Sequence, residues 1–515
     1  MKRIVLSALL LLFSLMSIAQ TVMFSNRKNR DSRLFVFAKP AVVPSPAQLN
    51  WQEMEMNMFC HFGPNTFTGK EWGDGRESED LFNPSQLDCN QWVAVAKAAG
   101  MKGIIITAKH HDGFCLWPSK ESSHTVRESP WKNGQGDVLR ELSEACRKGG
   151  IKFGVYVSPW DRNAPTYGTP DYNNVFVRTL QEVHTQYGDV FEQWFDGACG
   201  EGPNGKKQVY DFYRFNRAVL DIHPNAVIFS DVGPGCRWMG NESGVMGRTS
   251  WSMMNIWDSV GAPYEPGMGV PSQAVLNTGE PFGKSWVPAE TDVSIRPGWF
   301  YRDSEHPKTL QQLLSIYYTS VGRNSLLLLN VPPDQRGLIA QEESIRLVEF
   351  RMALDSIFSK DLSRGAKIKT AYGRSVAVDR WKSDNRSSLL FPSPTAGKPI
   401  QIRIVLSKPT SFNRLMIQED IQRGQHVSHL NVLVKAKGEK QFLPIADATT
   451  IGYKRILLLE QQTDIVEIFL EIESLYDCYC IGLSNLALYQ DNIFDATNLL
   501  ETKVGRTTDV LIPKN

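Results

Sequence analysis

Apolar runs of strand length alternate with predicted helices between residue 50 and about residue 250. The apolar runs are Met54–His61, Gly103–Lys109, Lys152–Val157, Val190–Phe195 and Ala226–Ser230. The segments that predict helices are Gln91–Ala99, Asp137–Lys148, Asn174–Tyr187 and Tyr210–Ile222. Such alternation brings successive strands together in parallel with helices covering them, so it predicts an α/β fold.

The alternation becomes irregular after residue 250 but does not stop. Two further strands, at Trp286–Val293 and Ser325–Val331, flank a helix over Thr309–Val321. This number of strands fits a (β/α)8-like barrel in which some helices are degraded. An open doubly wound sheet is the alternative. No G-x-G-x-x-G motif follows the first strand, so a dinucleotide site is not expected.

The pattern changes again after about residue 365, where short apolar runs are separated by Ser, Gly, Pro and Asn. These runs are Ile400–Leu406, Phe412–Gln418, His429–Ala436, Lys454–Leu459 and Thr463–Ile472. Short strands at near-regular spacing are typical of an antiparallel β-sandwich. We therefore predict a barrel domain at residues 20–360 and a C-terminal sandwich domain at residues 361–515.

The first 19 residues have the pattern of a secretory signal peptide. Lys2 and Arg3 precede an apolar stretch over Ile4–Met16, and small residues follow at Ser17 and Ala19. The stretch is too short for a membrane span, and the order of basic, apolar and small residues is that of a cleaved export signal. We therefore predict an exported protein, periplasmic or secreted, with no membrane anchor after cleavage.

Composition excludes several classes of protein. Of the 515 residues, 42% are hydrophobic and 22% are charged, which is ordinary globular usage and excludes a disordered or fibrous chain. The 56 Lys and Arg residues are balanced by 55 Asp and Glu residues. Such a balance argues against a nucleic-acid binder held by phosphate contacts. The 13 Trp residues are a high number and indicate stacking surfaces for sugars.

Polar and aromatic residues cluster at the ends of the predicted barrel strands. In chain order they are His61, Glu71, Trp72, His110, His111, Tyr156, Asp196, Arg237, Glu242 and Trp299. Because the carboxyl ends of barrel strands form the active site, these side chains are expected to meet at one rim. Acids beside aromatic rings suit cleavage of a glycosidic bond, in which two carboxyls carry out the chemistry.

The adjacent histidines His110 and His111 are the one sequence feature that raises the question of a metal. Neighbouring residues on a strand point to opposite faces, whereas a zinc site usually takes ligands two or four residues apart. We therefore expect no metal. For one of the two histidines, the alternative to a functional role is a buried structural role.

The two candidate acids differ in what their surroundings indicate. Asp196 ends an apolar strand, a position that favours a functional carboxylate over a buried structural one. Glu242 lies in an irregular glycine-rich loop, where a solvated surface acid is an equal alternative. Trp72 and Trp299 have core packing as their alternative. From the residues alone, the prediction is a sugar-active barrel that hydrolyses its substrate.

Five stretches, taken together, resemble the α-L-fucosidases of glycoside hydrolase family 29. They are His61–Gly63, Glu71–Gly75, Ala108–Phe114, Trp194–Ala198 and Leu327–Pro333, and they span residues 50 to 350 in the family's order. The resemblance implies a retaining hydrolase that forms a covalent fucosyl-enzyme. The region from about residue 365 to 490 is similar, more loosely, to a discoidin-like carbohydrate-binding sandwich.

The resemblance also implies roles for the residues at the strand ends. Asp196 matches the nucleophile. Glu242, about 46 residues later, matches the acid/base of the branch that prefers α1,3/1,4-linked fucose in branched, Lewis-type glycans. The residues that would hold the sugar are His61, Glu71, Trp72, His110, His111 and Tyr156, with Arg237 and Trp299 as further substrate-binding residues.

These matches predict an enzyme with no cofactor, whose partner is a fucosylated oligosaccharide or glycoconjugate and not nucleic acid. Three alternatives stay open. The first is a fucosidase of broader linkage range or a hydrolase of another sugar on the same barrel. The second is a non-catalytic glycan-binding protein that works through its sandwich. The third is a metal-dependent hydrolase that uses His110 and His111.

Overall fold

The computed structural model describes residues 42–257, 261, 263–369, 375–378, 388–392, 398–475 and 480–501. The predicted signal peptide, residues 1–19, lies outside the described residues. Within those ranges, no helix is both long enough and apolar enough to cross a membrane.

Eight parallel strands close into a barrel, as the sequence predicts. The described part of the chain up to residue 330 contains ten strands, of which eight form the barrel. In chain order they are β1 Met56–Cys60, β2 Gly103–Lys109, β3 Lys152–Val157, β4 Glu192–Trp194, β5 Val227–Ser230, β6 Cys236–Trp238, β7 Met253–Met254, β8 Ser285–Trp286, β9 Ala289–Ser294 and β10 Ser325–Asn330. The short strands β7 and β8 form a separate antiparallel pair. The other eight strands follow chain order around the barrel, and β10 pairs with β1 to close it. The alternative of an open doubly wound sheet is therefore wrong.

Nine α-helices are present in the described part of the chain, and most cover the barrel. They are α1 Pro46–Gln52, α2 Pro64–Thr68, α3 Cys89–Ala98, α4 Val138–Gly149, α5 Pro170–Gln186, α6 Phe212–Leu220, α7 Gln273–Thr278, α8 Leu310–Thr319 and α9 Gln341–Phe358. Local sequence fixes several of their ends. The side chains of Asp88, Asp137 and Asp211 accept hydrogen bonds from backbone N–H groups of α3, α4 and α6, which satisfies orphan donors of the first turn. Gly150 ends α4 in the left-handed conformation.

The sixth barrel strand, β6, is the one strand of the barrel that the sequence does not predict. It has three residues, and it follows β5 after a five-residue connection with no helix between them. A Cβ atom on Gly235 would lie 2.4 Å from the backbone nitrogen of Ile228, so only glycine lets the chain turn back this closely onto β5. Arg237 therefore belongs to a strand and not to a loop at the pocket.

The C-terminal region forms an eight-stranded antiparallel sheet around its own apolar core. Its strands are β11 Lys367–Lys369, β12 Ser375–Ala377, β13 Leu389–Pro392, β14 Ile400–Glu419, β15 Val427–Ala436, β16 Leu443–Ala448, β17 Arg455–Ser474 and β18 Cys480–Tyr489. Each of the long strands β14 and β17 combines two of the predicted runs. The pairing between them shifts register from Val405 to Arg414, and these irregularities bend the strands without ending them.

A buried polar contact joins this sheet to the barrel. Arg414 on β14 forms an ion pair with Asp491 at 2.9 Å, and the two side chains are 2% and 0% exposed. Tyr318 on barrel helix α8 donates its hydroxyl to the same Asp491 carboxylate at 2.6 Å. The sheet region therefore supplies both charges of a buried pair, and the barrel contributes the hydroxyl that joins it.

Candidate active site

A ring of polar side chains lies at the carboxyl ends of the barrel strands. Asp196 follows β4, and its carboxylate accepts the hydroxyl of Tyr156 on β3 at 3.0 Å. The backbone N–H of Ala198 donates to the other carboxylate oxygen at 2.7 Å. The two hydrogen bonds fix the orientation of the Asp196 carboxylate. About a quarter of its side chain, 26%, stays exposed toward the opening.

His111 lies next to Asp196 with a defined tautomer. Its Nδ1 is 2.8 Å from the hydroxyl of Ser158, and that hydroxyl donates its own hydrogen to the carbonyl of Trp160. Ser158 must therefore accept, and the proton of a neutral His111 lies on Nδ1. Its Nε2 then faces Asp196 at 3.7 Å. Burial, the largest effect, lowers the pKa of His111, so its free Nε2 can accept a hydroxyl hydrogen.

His61, directly after β1, also has a tautomer that is fixed by a hydrogen bond to its Nδ1. Its Nδ1 is 2.9 Å from the side-chain oxygen of Asn330 on β10. The amide nitrogen of Asn330 donates to Ser294 and to the carbonyl of Trp299, so the amide orientation is determined. Burial lowers the pKa of His61 to about 3. His61 is thus a neutral imidazole whose Nε2 is an acceptor.

His110 completes a group of three neighbouring imidazoles. Its ring stacks on Tyr156 with centroids 5.7 Å apart and lies 4.2 Å from the ring of His111. Burial and the neighbouring histidines lower its pKa well below the ordinary value. Its Nδ1 has no hydrogen-bond partner among the described residues. A neutral imidazole with an unused nitrogen is suited to binding a sugar hydroxyl.

Glu71 and Trp299 join the far sides of the rim. One oxygen of Glu71 accepts the backbone N–H of Trp299, and the other accepts Arg302 at 2.6 Å. Burial raises the pKa of Glu71, against the opposing effects of the Trp299 N–H and the Arg302 charge. The loop after β9 is thereby tied to the loop after β1.

Glu242 lies on the rim loop after β6, and its carboxyl contacts Trp299 at the pocket. The indole N–H of Trp299 donates to it at 3.3 Å. Burial of the carboxyl raises the pKa of Glu242, the Trp299 hydrogen bond lowers it, and the charges of Asp196 and Glu71 raise it again. The net rise favours a protonated acid at a site where Asp196 carries charge.

Trp72 forms an exposed wall beside these groups. It is 54% exposed. Its ring meets those of His111 and Trp160 edge-on, with centroids 5.6 Å apart in both cases. Because these two rings support it, the Trp72 ring can present a flat apolar face to a sugar.

Arg237 does not reach this pocket, and its prediction as a substrate-binding residue is corrected. Its guanidinium is fully buried and donates to the main-chain carbonyls of Leu276, Val287 and Trp251. Each of these three acceptors is a backbone carbonyl outside the eight barrel strands. The other nine predicted residues lie at the pocket or on its rim.

Sequence reasoning missed two carboxyls on the barrel's inner side, Asp231 after β5 and Asp292 on β9. Asp231 packs so tightly that a Cβ on Gly197 would lie 2.3 Å from its oxygen, which explains the glycine directly after Asp196. Burial raises the pKa of Asp231 to about 6. The partners Ser158, Asn330 and Arg302 were also missed, since each acts through a contact with a distant residue. The sequence did offer one signal for Asp292: it lies two residues after Glu290 on the same strand, so both side chains point to the same face.

One group of side chains in the described residues has the spacing of metal ligands, and it lies below the pocket. It consists of Glu192, Cys236 and Glu290, all buried in the barrel interior. The indole N–H groups of Trp51 and Trp194 donate to the two carboxyls at 2.7 and 2.8 Å. Burial raises the pKa of both. The raised pKa values favour the uncharged form of these carboxyls, and each of them accepts an indole N–H.

Carboxyls, neutral imidazoles and an exposed indole at the open end of a parallel barrel define a glycoside hydrolase. Comparison with known proteins identifies the family. The family model for alpha-L-fucosidase matches residues 25–352. Alpha-L-fucosidase 1 of Arabidopsis thaliana is 41% identical over 451 residues, which cover 86% of each chain. The chain belongs to the alpha-L-fucosidase family.

Solved structures extend the likeness to the whole fold. A GH29 fucosidase of Ruminococcus gnavus, solved in complex with fucose, is 29% identical and superposes with a TM-score of 0.81. That match covers 92% of this chain and 99% of the other. A glycoside hydrolase 29 family member from an unknown rumen bacterium is 38% identical with a TM-score of 0.75, covering 89% and 79% of the two chains.

Proposed function

We propose that this α-L-fucosidase acts with retention of configuration, with Asp196 as nucleophile and Glu242 as acid/base. The observation that carries the proposal is the contrast between the two carboxyls. The Tyr156 hydroxyl and the Ala198 N–H hold the Asp196 carboxylate in place at the pocket, whereas burial and the charge of Asp196 raise the pKa of Glu242. Environments that separate two carboxyls in this way assign one as base or nucleophile and the other as acid.

The proposed reaction has two steps. In the first, a carboxylate oxygen of Asp196 bonds to the anomeric carbon of fucose while the bond to the leaving oxygen breaks. Glu242 gives its proton to that oxygen. In the second, Glu242 takes a proton from water as the water oxygen attacks the anomeric carbon and releases Asp196. The negative charge of Asp196 is absent in the covalent intermediate, so Glu242 becomes a better base when it has to act as one.

The neutral histidines and the aromatic wall would hold the sugar during both steps. The free Nε2 atoms of His61 and His111 are acceptors for fucose hydroxyls, and Tyr156 keeps Asp196 in position. Trp72 offers a face to the apolar edge of the sugar. Glu71, Trp299 and His110 complete the proposed binding set.

For the substrate, we propose α1,3- or α1,4-linked fucose in branched, Lewis-type glycans. Support comes from Glu242 lying about 46 residues after Asp196 in a Gly-Asn-Glu sequence, which resembles the branch of the family with that preference. Trp72 and Glu242 are both exposed at the rim, where a bulky leaving group can approach them.

Fucose release tests the proposal on three substrates: a Lewis-type trisaccharide, 2′-fucosyllactose and an aryl α-L-fucoside. We expect release from the branched sugar with the α-anomer appearing first by NMR. Asp196→Ala should lose turnover by orders of magnitude, and added azide should restore it with formation of the β-fucosyl azide. First formation of the β-anomer would reject retention. Release mainly from the linear or aryl substrate would reject the linkage preference and leave the fucosidase.

A further inference from the structure

A third carboxyl lies on the inner side of the barrel near Asp196 and Glu242. Asp292 is on β9, two residues beyond Glu290, and alternation along the strand directs both side chains into the barrel. Glu290 belongs to the lower layer, where its carboxyl accepts the indole N–H of Trp194. Asp292 is therefore one layer closer to the pocket, two residues before the end of β9.

One oxygen of Asp292 has no protein partner. The residue is 2% exposed, yet its Oδ1 makes no hydrogen bond to any residue that the structure describes. The indole of Trp238, on the neighbouring strand β6, hydrogen-bonds the carboxyl. A buried polar atom left unpaired is unfavourable, so Oδ1 marks a point where a polar ligand atom would restore a bond.

The surroundings of Asp292 favour its uncharged form. Its titratable neighbours are Glu242 and Asp196 across the pocket, and Glu290 lies below it on the same strand. No ion pair joins Asp292 to a cation within the described ranges, and Arg237 on β6 binds backbone carbonyls instead. Burial, followed by the charge of Glu242, raises the pKa of Asp292 well above its ordinary value. It is therefore a hydrogen-bond donor and not a third anion.

We propose that Asp292 binds the fucose unit, donating a hydrogen bond from its uncharged carboxyl to an oxygen of the sugar. This inference rests on the proposed function, because it assumes that fucose occupies the pocket floor. The depth of Asp292 assigns it to the fucose and not to the leaving sugar, which would meet the exposed rim residues Trp72 and Glu242. An uncharged donor leaves Asp196 as the anion that faces the anomeric carbon, so binding does not compete with attack.

The test compares Asp292→Asn and Asp292→Ala with Thr291→Val. Thr291 is the buried neighbour on β9 whose side chain instead contacts Ser325 on β10 at 2.8 Å, so it controls for disturbance of the strand. The readouts are kcat/KM on an aryl α-L-fucoside and the inhibition constant of free fucose. An aryl substrate lacks the leaving sugar, so a change in either readout reports on the fucose side.

Asp292→Asn keeps a donor without charge and should stay within about threefold of the native protein in both readouts. Asp292→Ala should lower kcat/KM by roughly tenfold or more and weaken fucose inhibition by a similar factor, since the bond is lost. Thr291→Val should change neither. Native fucose inhibition in Asp292→Ala would overturn the proposal, as would Asp292→Asn losing as much as Asp292→Ala. If Asp292→Ala does not fold, the Asn variant still decides, because a large loss there contradicts an uncharged donor. Absence of fucose release by the native protein would instead reject the proposed function itself.

Discussion

The side-chain oxygen of Asn330 lies 2.9 Å from Nδ1 of His61, across the seam where the last barrel strand meets the first. The same oxygen accepts the backbone N–H of His61 at 3.2 Å. The amide nitrogen donates to Ser294 and to the carbonyl of Trp299. One asparagine thus selects the tautomer of His61 and holds the loop that carries Trp299, so the seam of the barrel and the geometry of the pocket depend on the same side chain.

Replacing this amide by an apolar side chain of similar size should damage activity more than folding. Asn330→Leu leaves Nδ1 of His61 without its acceptor, so the ring loses its fixed tautomer. We expect kcat/KM on an aryl α-L-fucoside to fall roughly ten- to a hundredfold, which corresponds to a loss of about 1–3 kcal/mol. The matched control is Asn57→Leu, a buried asparagine near the start of β1. Equal losses in the two variants would argue that Asn330 acts through stability alone.

The contact between His61 and Asn330 also explains what sequence reasoning can and cannot find. The strands with apolar runs were predicted, and His61 lies where its strand ends. Its partner lies 269 residues away, and only closure of the barrel brings the two together. Asn330 stands within the Leu327–Pro333 stretch that supports the family resemblance, but nothing local indicates its role.

Two other features were missed because the apolar pattern is too short or is interrupted. Strand β6 has three residues, too few to produce a periodic pattern, so Arg237 was expected at the rim beyond the end of β5. The bends of β14 and β17 interrupt their apolar alternation, so each was predicted as two strands. In these cases the competing signal was local irregularity, and pairing with neighbouring strands decided the structure.

The pH dependence of activity should shift in opposite directions in two rim variants. The pH dependence of kcat/KM reports on the free enzyme, in which Glu242 must be protonated to act as the acid. We therefore expect kcat/KM to fall as pH rises through the pKa of Glu242. The Trp299 indole N–H favours the charged form of Glu242, whereas the charge of Glu71 opposes it. Trp299→Phe should therefore raise the pKa of Glu242 and move the alkaline limb to higher pH. Glu71→Gln should lower it and move the limb to lower pH.

The measurement is kcat/KM against pH on one aryl α-L-fucoside, with the position of the limb read separately from its height. Both variants lose a sugar contact and should be slower, so height alone decides nothing. Glu242→Gln serves as the reference, because a variant without the titrating acid should lose the limb. A shift in the same direction for Trp299→Phe and Glu71→Gln would contradict Glu242 as the group that titrates.

Arg237 should matter for stability and not for catalysis. Its guanidinium donates to three main-chain carbonyls, and the residue is 0% exposed. Arg237→Met leaves those acceptors unpaired and should lower the free energy of unfolding by roughly 3 kcal/mol or more. Thermal unfolding followed by circular dichroism measures this loss. The fraction that stays folded should keep a near-native kcat/KM and native fucose inhibition, and weaker inhibition would return Arg237 to the binding set.

The ion pair between Arg414 and Asp491 should couple the stability of the barrel to that of the sheet. Asp491→Ala leaves the Arg414 charge buried and uncompensated, and it also removes the acceptor for Tyr318 on α8. Breaking a buried pair in this way costs roughly 3–5 kcal/mol. We expect one unfolding transition at a lower temperature in which barrel and sheet unfold together.

A second ion pair on the same strand supplies the control for that experiment. Arg403 on β14 pairs with Glu467 on β17, but its side chain is 43% exposed, so water screens the charge. Glu467→Ala should therefore shift the transition far less than Asp491→Ala. Two separate transitions in Asp491→Ala, with fucose release surviving the first, would mean that the sheet detaches without the barrel. Equal shifts in both variants would mean that burial at the junction adds nothing to the pair.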